Sequence, residues 1–165
     1  MRSIYCPLCG KKLACRSLGD EGDVPWCEAC ERPYFDSFST CVIALVVNEL
    51  GEIAVLRENS RPYGGLVAGY VKPGECAEET ARREIAEELG LPVHALEPVR
   101  TYWFDRREQL MLGFFARVKK APFTLSSEIK DAAWMSPADA QAAMRPGGPA
   151  YRLVSQYRMA QTPAP

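Results

Sequence analysis

The chain has 165 residues, of which 47% are apolar and 25% are charged, a composition typical of one mid-sized globular domain, or one domain with a small added module. Its net charge of −1 gives no overall basic character, so we expect neither nucleic acid nor a membrane as a partner. The longest apolar run, residues 41–47, is far short of a membrane-spanning helix, and the N-terminal MRSIYCPLC lacks the apolar stretch of a secretory signal, so we expect a cytoplasmic location.

The composition changes near residue 36. Residues 1–36 are rich in cysteine, glycine and charge, and they hold too few apolar residues to bury a core of their own. Residues 37–165 alternate predicted strands and helices, as in a larger α/β domain. We therefore predict two domains with these bounds.

Two C-x-x-C pairs stand in the first domain, separated by 17 residues. Each pair supplies two thiolates from one turn, and two such turns complete the tetrahedron that Zn²⁺ prefers. A redox-active pair is the competing interpretation, which two pairs without a βαβ context disfavour. The odd number of cysteines, seven, argues against a disulfide framework. The predicted ligands of a structural zinc ion are Cys6, Cys9, Cys27 and Cys30.

The second domain begins with a predicted hairpin, because two runs rich in β-branched residues flank a turn at residues 49–51. Its best-defined helix is predicted where Ala81, Ile85 and Leu89 recur every four residues. Gly90 can adopt the left-handed conformation that ends this helix. In chain order the predicted elements are strands at 40–48, 52–57 and 66–71, a helix at 76–89, strands at 97–104, 108–118 and 131–135, and helices starting at 136 and spanning 150–160.

Three glutamates lie on one face of the predicted helix at 76–89. Glu84, Glu87 and Glu88 occupy positions i, i+3 and i+4, which are neighbours on a helical surface. Like charges this close repel one another, and a shared cation would remove the repulsion. Hard carboxylate oxygens suit Mg²⁺ or Mn²⁺, which can also bind substrate phosphates. Upstream, Glu75 precedes Arg83 by eight residues and is placed to pair with it.

The segment GYVKPGECAEETARREIAEELGL, residues 69–91, resembles the Nudix box. It has the glycine, five residues, a glutamate, seven residues, and then Arg-Glu-apolar-x-Glu-Glu-x-Gly-apolar. The alternative, a solvated acidic helix face, does not account for nine specified positions in 23 residues. The matching positions are Gly69, Glu75, Arg83, Glu84, Ile85, Glu87, Glu88, Gly90 and Leu91.

The resemblance to the Nudix family implies a fold, a reaction and residue roles. The implied fold is α/β, an α/β/α sandwich with a mixed sheet, here preceded by a small four-cysteine zinc ribbon. The implied reaction is attack of a metal-activated water on one phosphorus of a nucleoside diphosphate linked to another group, with a glutamate accepting the proton. The implied magnesium ligands are the Gly69 carbonyl, Glu84, Glu87 and Glu88, with Glu75 and Arg83 as a structural pair of the catalytic segment.

A zinc ribbon followed by a Nudix domain resembles the bacterial NADH pyrophosphatases. That resemblance extends to residues 66–71, 109–115 and 128–134, and it implies Glu128 as a further magnesium ligand and a homodimer. Two departures leave the identity of the substrate open. Residues 101–108 lack the proline-rich signature that reads the dinucleotide in that family, and Lys72 stands where a glutamate is usual.

Other candidate substrate contacts lie outside the box. Tyr102, Trp103 and Phe104 follow one another on a predicted strand, so one or two face the core and at least one can stack on a base. Arg57 and Arg61 flank the loop on the substrate side and can hold phosphate, although surface arginines often have no such role. The substrate contacts we predict are Arg57, Tyr102 and Phe104.

These features favour a Nudix hydrolase that cleaves the diphosphate bond of NADH, ADP-ribose or a related nucleotide. Two alternatives stay open. One is a housecleaning pyrophosphatase of nucleoside triphosphates. The other is a nucleotide-sensing regulator that contacts nucleic acid through the ribbon, which the intact set of glutamates disfavours because a sensor has no need of all three.

Overall fold

The structure is a computed structural model that describes residues 3–58 and 62–161. The chain divides into two compact units, Met1–Phe38 and Ser39–Pro165.

The first unit contains a small antiparallel sheet of three strands in the order β1-β2-β3. The strands are β1 Ala14–Ser17, β2 Asp23–Cys27 and β3 Arg32–Pro33. The sequence does not predict them, because β1 is exposed along its whole length and β3 has only two residues, so neither carries an apolar pattern. Among residues 3–38, the buried apolar side chains are Cys6, Val24 and Cys27.

The second unit is built on a six-stranded mixed sheet whose main path runs β7-β8-β4-β5-β9, with β6 paired to β4. The β4–β8 pair is parallel and the other pairs are antiparallel. The elements are β4 Ser39–Val47, β5 Ile53–Glu58, β6 Val67–Tyr70, α1 Ala77–Leu89, β7 Ala95–Phe104, β8 Gln109–Arg117, β9 Ile129–Met135, α2 Pro137–Ala143 and α3 Pro149–Gln161.

Two hydrophobic cores lie on the two faces of this sheet, because side chains along a strand point alternately to either face. On β4, Ile43 and Leu45 pack with residues of α2 and α3, whereas Val42 and Ala44 pack with residues of α1. The predicted α/β/α sandwich with a mixed sheet is confirmed. Within the described part of the chain, no helix has both the length and the apolar character needed to cross a membrane.

The paired part of the β4–β5 hairpin is shorter than the sequence suggests. The two strands pair only at Val47 and Ile53, next to a turn in which the Asn48 side chain accepts hydrogen bonds from the amides of Leu50 and Glu52. Further along, β6 takes the same edge of β4, pairing over residues 41–44. The shared edge brings β6, and with it Gly69, beside the middle of the sheet.

Capping residues set both ends of helix α1. Cys76 is the N-cap, and its amide donates to the Glu79 carboxylate at 3.0 Å. At the other end Gly90 has φ 69°, and its amide donates to the Ala86 carbonyl. A side chain at Gly90 would also lie 2.6 Å from Thr124, so both the backbone and the packing require glycine there. The buried residues Ala81, Ile85 and Leu89 fix the helix on the sheet and turn its glutamates toward β6.

Candidate active site and candidate zinc centre

The carboxylate region consists of the glutamates on one face of α1, residues 84, 87 and 88, and the side chains around them. Glu75 and Arg83 form the firmest contact of this region. Arg83 donates from Nε to Glu75 Oε1 at 2.7 Å and from Nη2 to Oε2 at 2.9 Å, a bidentate pair. Glu75 Oε2 also accepts from the buried Thr80 hydroxyl and from the Lys72 amide. The bonds from Arg83 are the main reason that the pKa of Glu75 is lowered to about 2. The loop before α1 is thereby fastened to the helix.

Arg83 also orients the carboxylates that follow it. Its Nη1 donates to Glu84 Oε1 at 2.6 Å and to Glu87 Oε2 at 3.1 Å, and its Nη2 donates to the Tyr70 carbonyl at 3.2 Å. One guanidinium therefore ties the end of β6, the entry loop and two helix carboxylates into one unit.

Gly69 is in direct contact with Glu84. A Cβ built on Gly69 would lie 2.0 Å from Glu84 Oε1, far inside any van der Waals distance, so no other residue fits without moving Glu84. The glycine of the motif is thus required by a close approach between β6 and the carboxylate face of α1.

Carboxylates crowd around Glu88, which is half-buried. Burial raises the pKa of Glu88 to about 8, and four neighbouring carboxylates add to the shift. In order of contribution they belong to Glu84, Glu58, Glu128 and Glu87. The region therefore holds more negative charge than it can neutralise by itself.

Glu58 is the member of this group that the sequence did not single out. Ala54 and Leu56 of β5 pack in the core under α1, and alternation along the strand places Glu58 on the same face. Its strand partner is Ile129, the residue after Glu128, so β5 and β9 carry both carboxylates to one place. The alternation of residues 54, 56 and 58 along β5 was the signal available in the sequence.

The three predicted substrate contacts are dispersed. Tyr102 is only 1% exposed and packs in the core under α2 and α3, so it offers a base no free ring face. Phe104 is half-buried against the same core, and Trp103 between them is 47% exposed. Arg57 is exposed and follows Val55 on the α2–α3 face, away from the α1 glutamates. Arg61 lies outside the described residues.

A polar contact that the sequence did not suggest joins β6 to β8. The buried Gln109 amide donates to the Tyr70 hydroxyl at 2.8 Å, while the Tyr70 side chain is 53% exposed. Tyr70 follows Gly69 on β6 and pairs with Cys41 of the α2–α3 core, so its ring lies on the face of the sheet opposite the α1 glutamates. The two residues are 39 positions apart in the chain, and no local pattern connects them.

The four predicted zinc ligands come together in the first unit. Their sulfur atoms all lie within 4.8 Å of one another, with Cys6–Cys30 at 3.9 Å and Cys9–Cys27 at 3.5 Å. A zinc ion with bonds of about 2.3 Å needs sulfur atoms roughly 3.8 Å apart, so the cluster fits a tetrahedral site. Elsewhere among the described residues, no other group of acidic, histidine or cysteine side chains converges this closely.

Two tight turns present these sulfur atoms. In the first, the Gly10 amide donates to the Cys6 carbonyl and Gly10 has φ 72°. In the second, Glu31 occupies the equivalent place after Cys30 with φ 51°. Burial opposes ionisation of Cys6, but hydrogen bonds from Tyr34 and from the amides of Cys9 and Leu8 outweigh it, and its pKa is lowered to about 6. The thiolate form that a metal needs is therefore favoured at Cys6, whereas the hydrogen bond with Cys9 and burial raise the pKa of the Cys30 thiol to about 12.

Comparison with known proteins gives the family of the second unit. The sequence model of the NUDIX domain matches residues 38–155. The chain is 31% identical over 171 residues to Nudix hydrolase 19, chloroplastic, of Arabidopsis thaliana, covering 98% of this chain and 37% of that protein. It is 31% identical over 134 residues to the NAD-capped RNA hydrolase NudC of Stutzerimonas stutzeri, covering 79% and 47%. The chain thus spans between about a third and a half of the length of these curated relatives.

Solved structures share the fold. A NUDIX hydrolase from Nitrosomonas europaea superposes with a TM-score of 0.68 at 20% identity, covering 98% of this chain and 96% of that chain. The NUDIX domain of Shewanella oneidensis NrtR, solved with ADP ribose, superposes with a TM-score of 0.66 at 18% identity, covering 78% and 91%. At these identities the likeness concerns the fold alone.

Proposed function

The chain belongs to the NUDIX family, and from that premise we propose that it hydrolyses the diphosphate bond of a nucleoside diphosphate linked to another moiety, such as NADH or ADP-ribose. The observation that carries the proposal is the crowding of carboxylates around Glu88 beside Gly69. The substrate class is supported by the similarity to NudC proteins, which are named for hydrolysis of NAD-capped RNA.

The carboxylate region fits a hard divalent cation, because its donors are oxygens and their charges repel one another. We assign Glu84, Glu87, Glu88, Glu128 and the Gly69 carbonyl as ligands of Mg²⁺ or Mn²⁺. Such an ion would neutralise charge on the phosphate oxygens and lower the pKa of a bound water.

The chain's own residues orient the carboxylates and accept the proton. Arg83 fixes the directions of Glu84 and Glu87, so the carboxylates are oriented before substrate arrives. A glutamate of this group takes the proton that the attacking water loses. The water oxygen forms a bond to one phosphorus, the bond from that phosphorus to the bridging oxygen breaks, and two phosphate monoesters leave.

We further propose that residues 1–36 form a zinc ribbon and residues 37–165 the hydrolase domain, with a homodimer as the assembly. The fit of Cys6, Cys9, Cys27 and Cys30 to a tetrahedral site supports zinc. The ribbon needs such a ligand because it buries so little apolar surface.

For the moiety beyond the diphosphate, the proposed contacts are Phe104 and the Tyr70–Gln109 pair, rather than the buried Tyr102. Tyr70 presents a fixed, exposed ring on the same face of the sheet as Phe104, whose strand partner is Gln109. Arg57 stays a proposed phosphate contact. It lies on the face of the sheet opposite the α1 glutamates, so this role requires the substrate to extend to that face.

The experiment that tests the activity is a coupled phosphate-release assay over NADH, ADP-ribose and nucleoside triphosphates in the presence of Mg²⁺. Wild-type protein should turn over the linked diphosphates, and Glu97→Gln, an exposed glutamate on β7, should match it. Turnover of triphosphates alone would replace the proposal by the housecleaning alternative. Absence of turnover with every compound would refute hydrolysis.

Because residues 101–108 lack the proline-rich signature, we expect broad specificity within the linked diphosphates. The kcat/KM values for NADH and ADP-ribose should differ by less than about tenfold, which corresponds to roughly 1.4 kcal/mol in transition-state binding. A larger preference for NADH would show that other residues read the dinucleotide.

A further inference from the structure

A tyrosine from outside the four-cysteine cluster contacts one of its sulfur atoms. The Tyr34 hydroxyl lies 3.1 Å from Cys6 Sγ, and Cys6 is only 2% exposed. We propose that Tyr34 is a positioning residue for the zinc centre: its hydroxyl donates a hydrogen bond to the Cys6 thiolate and so sets how tightly the ribbon retains zinc. The inference rests on the proposed zinc site.

The charge of the filled site gives this bond its importance. Four thiolates around Zn²⁺ leave a net charge of about −2 close to a sulfur atom that water barely reaches. The amides of Leu8 and Cys9 already donate to Cys6 from its own turn. Tyr34 adds a donor from a distant part of the chain, and donors around metal ligands typically change metal affinity by about 10- to 100-fold.

The Tyr34 hydroxyl is held in place by its surroundings. The Tyr34 amide donates to the Pro25 carbonyl at 2.8 Å, which continues the pairing of β2 with β3. The Arg32 guanidinium carbon lies 5.5 Å from the centroid of the Tyr34 ring, close enough for a cation–π contact. Little freedom is lost when the hydroxyl binds the thiolate, because the backbone and the ring are both already fixed.

The contact also spans the two halves of the centre. Cys6 belongs to the first turn, whereas Tyr34 follows the second turn, 28 residues later. A hydrogen bond between them links closure of the metal site to formation of the β2–β3 edge. Tyr34 would then slow the release of zinc as well as strengthen its binding.

The test compares Tyr34→Phe with Tyr5→Phe, a change to a ribbon tyrosine that is 62% exposed and makes no described contact with the thiols. Zinc affinity is measured on the full chain, kept reduced, by competition with a chromophoric chelator. Tyr34→Phe should bind zinc about 10- to 100-fold more weakly than wild type, and Tyr5→Phe should not differ from wild type.

A cobalt-loaded sample distinguishes a lost hydrogen bond from a loosened fold. The sulfur-to-cobalt charge-transfer band of Tyr34→Phe should shift to lower energy, because a thiolate without the donor holds its electrons less tightly. Equal zinc affinity and identical bands in the two variants would overturn the inference. Wild-type protein that retained no zinc would instead refute the zinc site itself.

Discussion

The two units of this chain bury very different amounts of apolar surface. The sandwich buries two apolar clusters, one on each face of its sheet, from β4 outwards. The ribbon buries only Val24 and two cysteines among its described apolar residues. Hydrophobic burial can stabilise the first but not the second, which is why we propose cross-linking of the ribbon by a metal. We therefore expect the two proposed metal sites to have different roles, structural in one unit and chemical in the other.

The two clusters of proposed metal ligands also differ in how closely their side chains approach one another. The sulfur atoms of the four cysteines converge within 4.8 Å of one another. The carboxylates around Glu88 do not converge that closely among the described residues, and burial together with their charges raises the pKa of Glu88. The thiol site is already shaped for its ion, whereas the carboxylate site is electrostatically unfavourable until a cation and a charged substrate enter.

Removal of zinc should produce the largest effect, and it should be confined to the ribbon. Cys27→Ser breaks the tetrahedron, and zinc binding contributes on the order of 10 kcal/mol to folding in small zinc domains. Hydrogen exchange followed by mass spectrometry should show lost amide protection over residues 3–38 and unchanged protection over the sandwich. The folded sandwich should keep its Mg²⁺-dependent turnover.

Cys15→Ser is the matched control, because Cys15 is an exposed cysteine of the same unit outside the cluster. It should leave protection unchanged in both units. Parallel loss of protection in the sandwich of Cys27→Ser would contradict the idea that the two units are stabilised separately.

Loss of Glu88 should have the next largest effect, and it should fall on turnover alone. Removing one preorganised charge that acts on the transition state costs on the order of 10²- to 10³-fold in kcat. The melting temperature of metal-free Glu88→Gln should equal or exceed that of wild type, because the substitution removes a half-buried carboxylate from like-charged neighbours. Steady-state kinetics at saturating Mg²⁺ and thermal unfolding measure the two quantities.

Glu75→Gln should show the reverse pattern. Its carboxylate holds Arg83, Thr80 and the Lys72 amide, all contacts within the chain. We expect a lower melting temperature and a kcat within about tenfold of wild type, since the charge lost is not one that acts directly on the substrate. Equal losses of turnover in Glu75→Gln and Glu88→Gln would mean that the division of roles is wrong.

The stability of the sandwich without Mg²⁺ should depend on pH through Glu88. The folded pKa is about 8 and the ordinary value is 4.5, so the native protein keeps a proton that the unfolded chain releases. The stabilising contribution is complete below about pH 4.5 and is lost as pH rises toward 8. The melting temperature of zinc-loaded protein should therefore fall between pH 5.5 and 8.5.

Two comparisons test the origin of that fall. Glu88→Gln should flatten it, and added Mg²⁺ should abolish it in wild type, because a bound cation stabilises the ionised carboxylate. Glu75 does not interfere in this range, since its pKa is lowered to about 2 and its contribution is lost only at pH below 4.5. An unchanged slope in Glu88→Gln would place the titrating group elsewhere.

Much of the sandwich could be predicted from sequence because its signals are local. Helix α1 carries a buried stripe and a glycine end within one segment, and α2 begins with a Ser136 cap that accepts from the Asp139 amide. The narrow β4–β5 hairpin was not predictable, because competition from β6 for the same edge is a matter of topology. The ribbon strands were missed because β1 is wholly exposed and β3 has only two residues, so neither carries an apolar pattern.

In the candidate site, too, the residues that the sequence identifies are those that lie close together in the chain. The motif names Glu75, Arg83 and the helix glutamates by spacing along one helix and its entry loop. Glu58 and the Tyr70–Gln109 contact bring together strands that are distant in sequence, so only the fold reveals them. Tyr102 was misjudged because alternation says that some aromatic residues face the core without saying which.

The two turns of the ribbon differ, among other positions, in the residue that follows their second cysteine, and we expect this difference to have the smallest effect. Gly10 and Glu31 occupy equivalent places after Cys9 and Cys30, and both have positive φ, 72° and 51°. The left-handed conformation strains an L-residue by roughly 1 kcal/mol, whereas glycine adopts it freely. Part of the relief is offset, because glycine also gains freedom in the unfolded chain.

Glu31→Gly should therefore tighten zinc binding slightly, by at most about 1 kcal/mol or roughly fivefold in affinity. Glu31→Ala is the necessary control, because both variants remove a negative charge near anionic thiolates but only glycine relaxes the backbone. Gly10→Ala supplies the opposite change: a Cβ there meets no atom within 4 Å, so its cost is the backbone conformation alone. The expected order of affinity, by chelator competition, is Glu31→Gly above Glu31→Ala, and wild type above Gly10→Ala. If Glu31→Gly and Glu31→Ala bind zinc equally, backbone strain at Glu31 does not limit the zinc affinity of the ribbon.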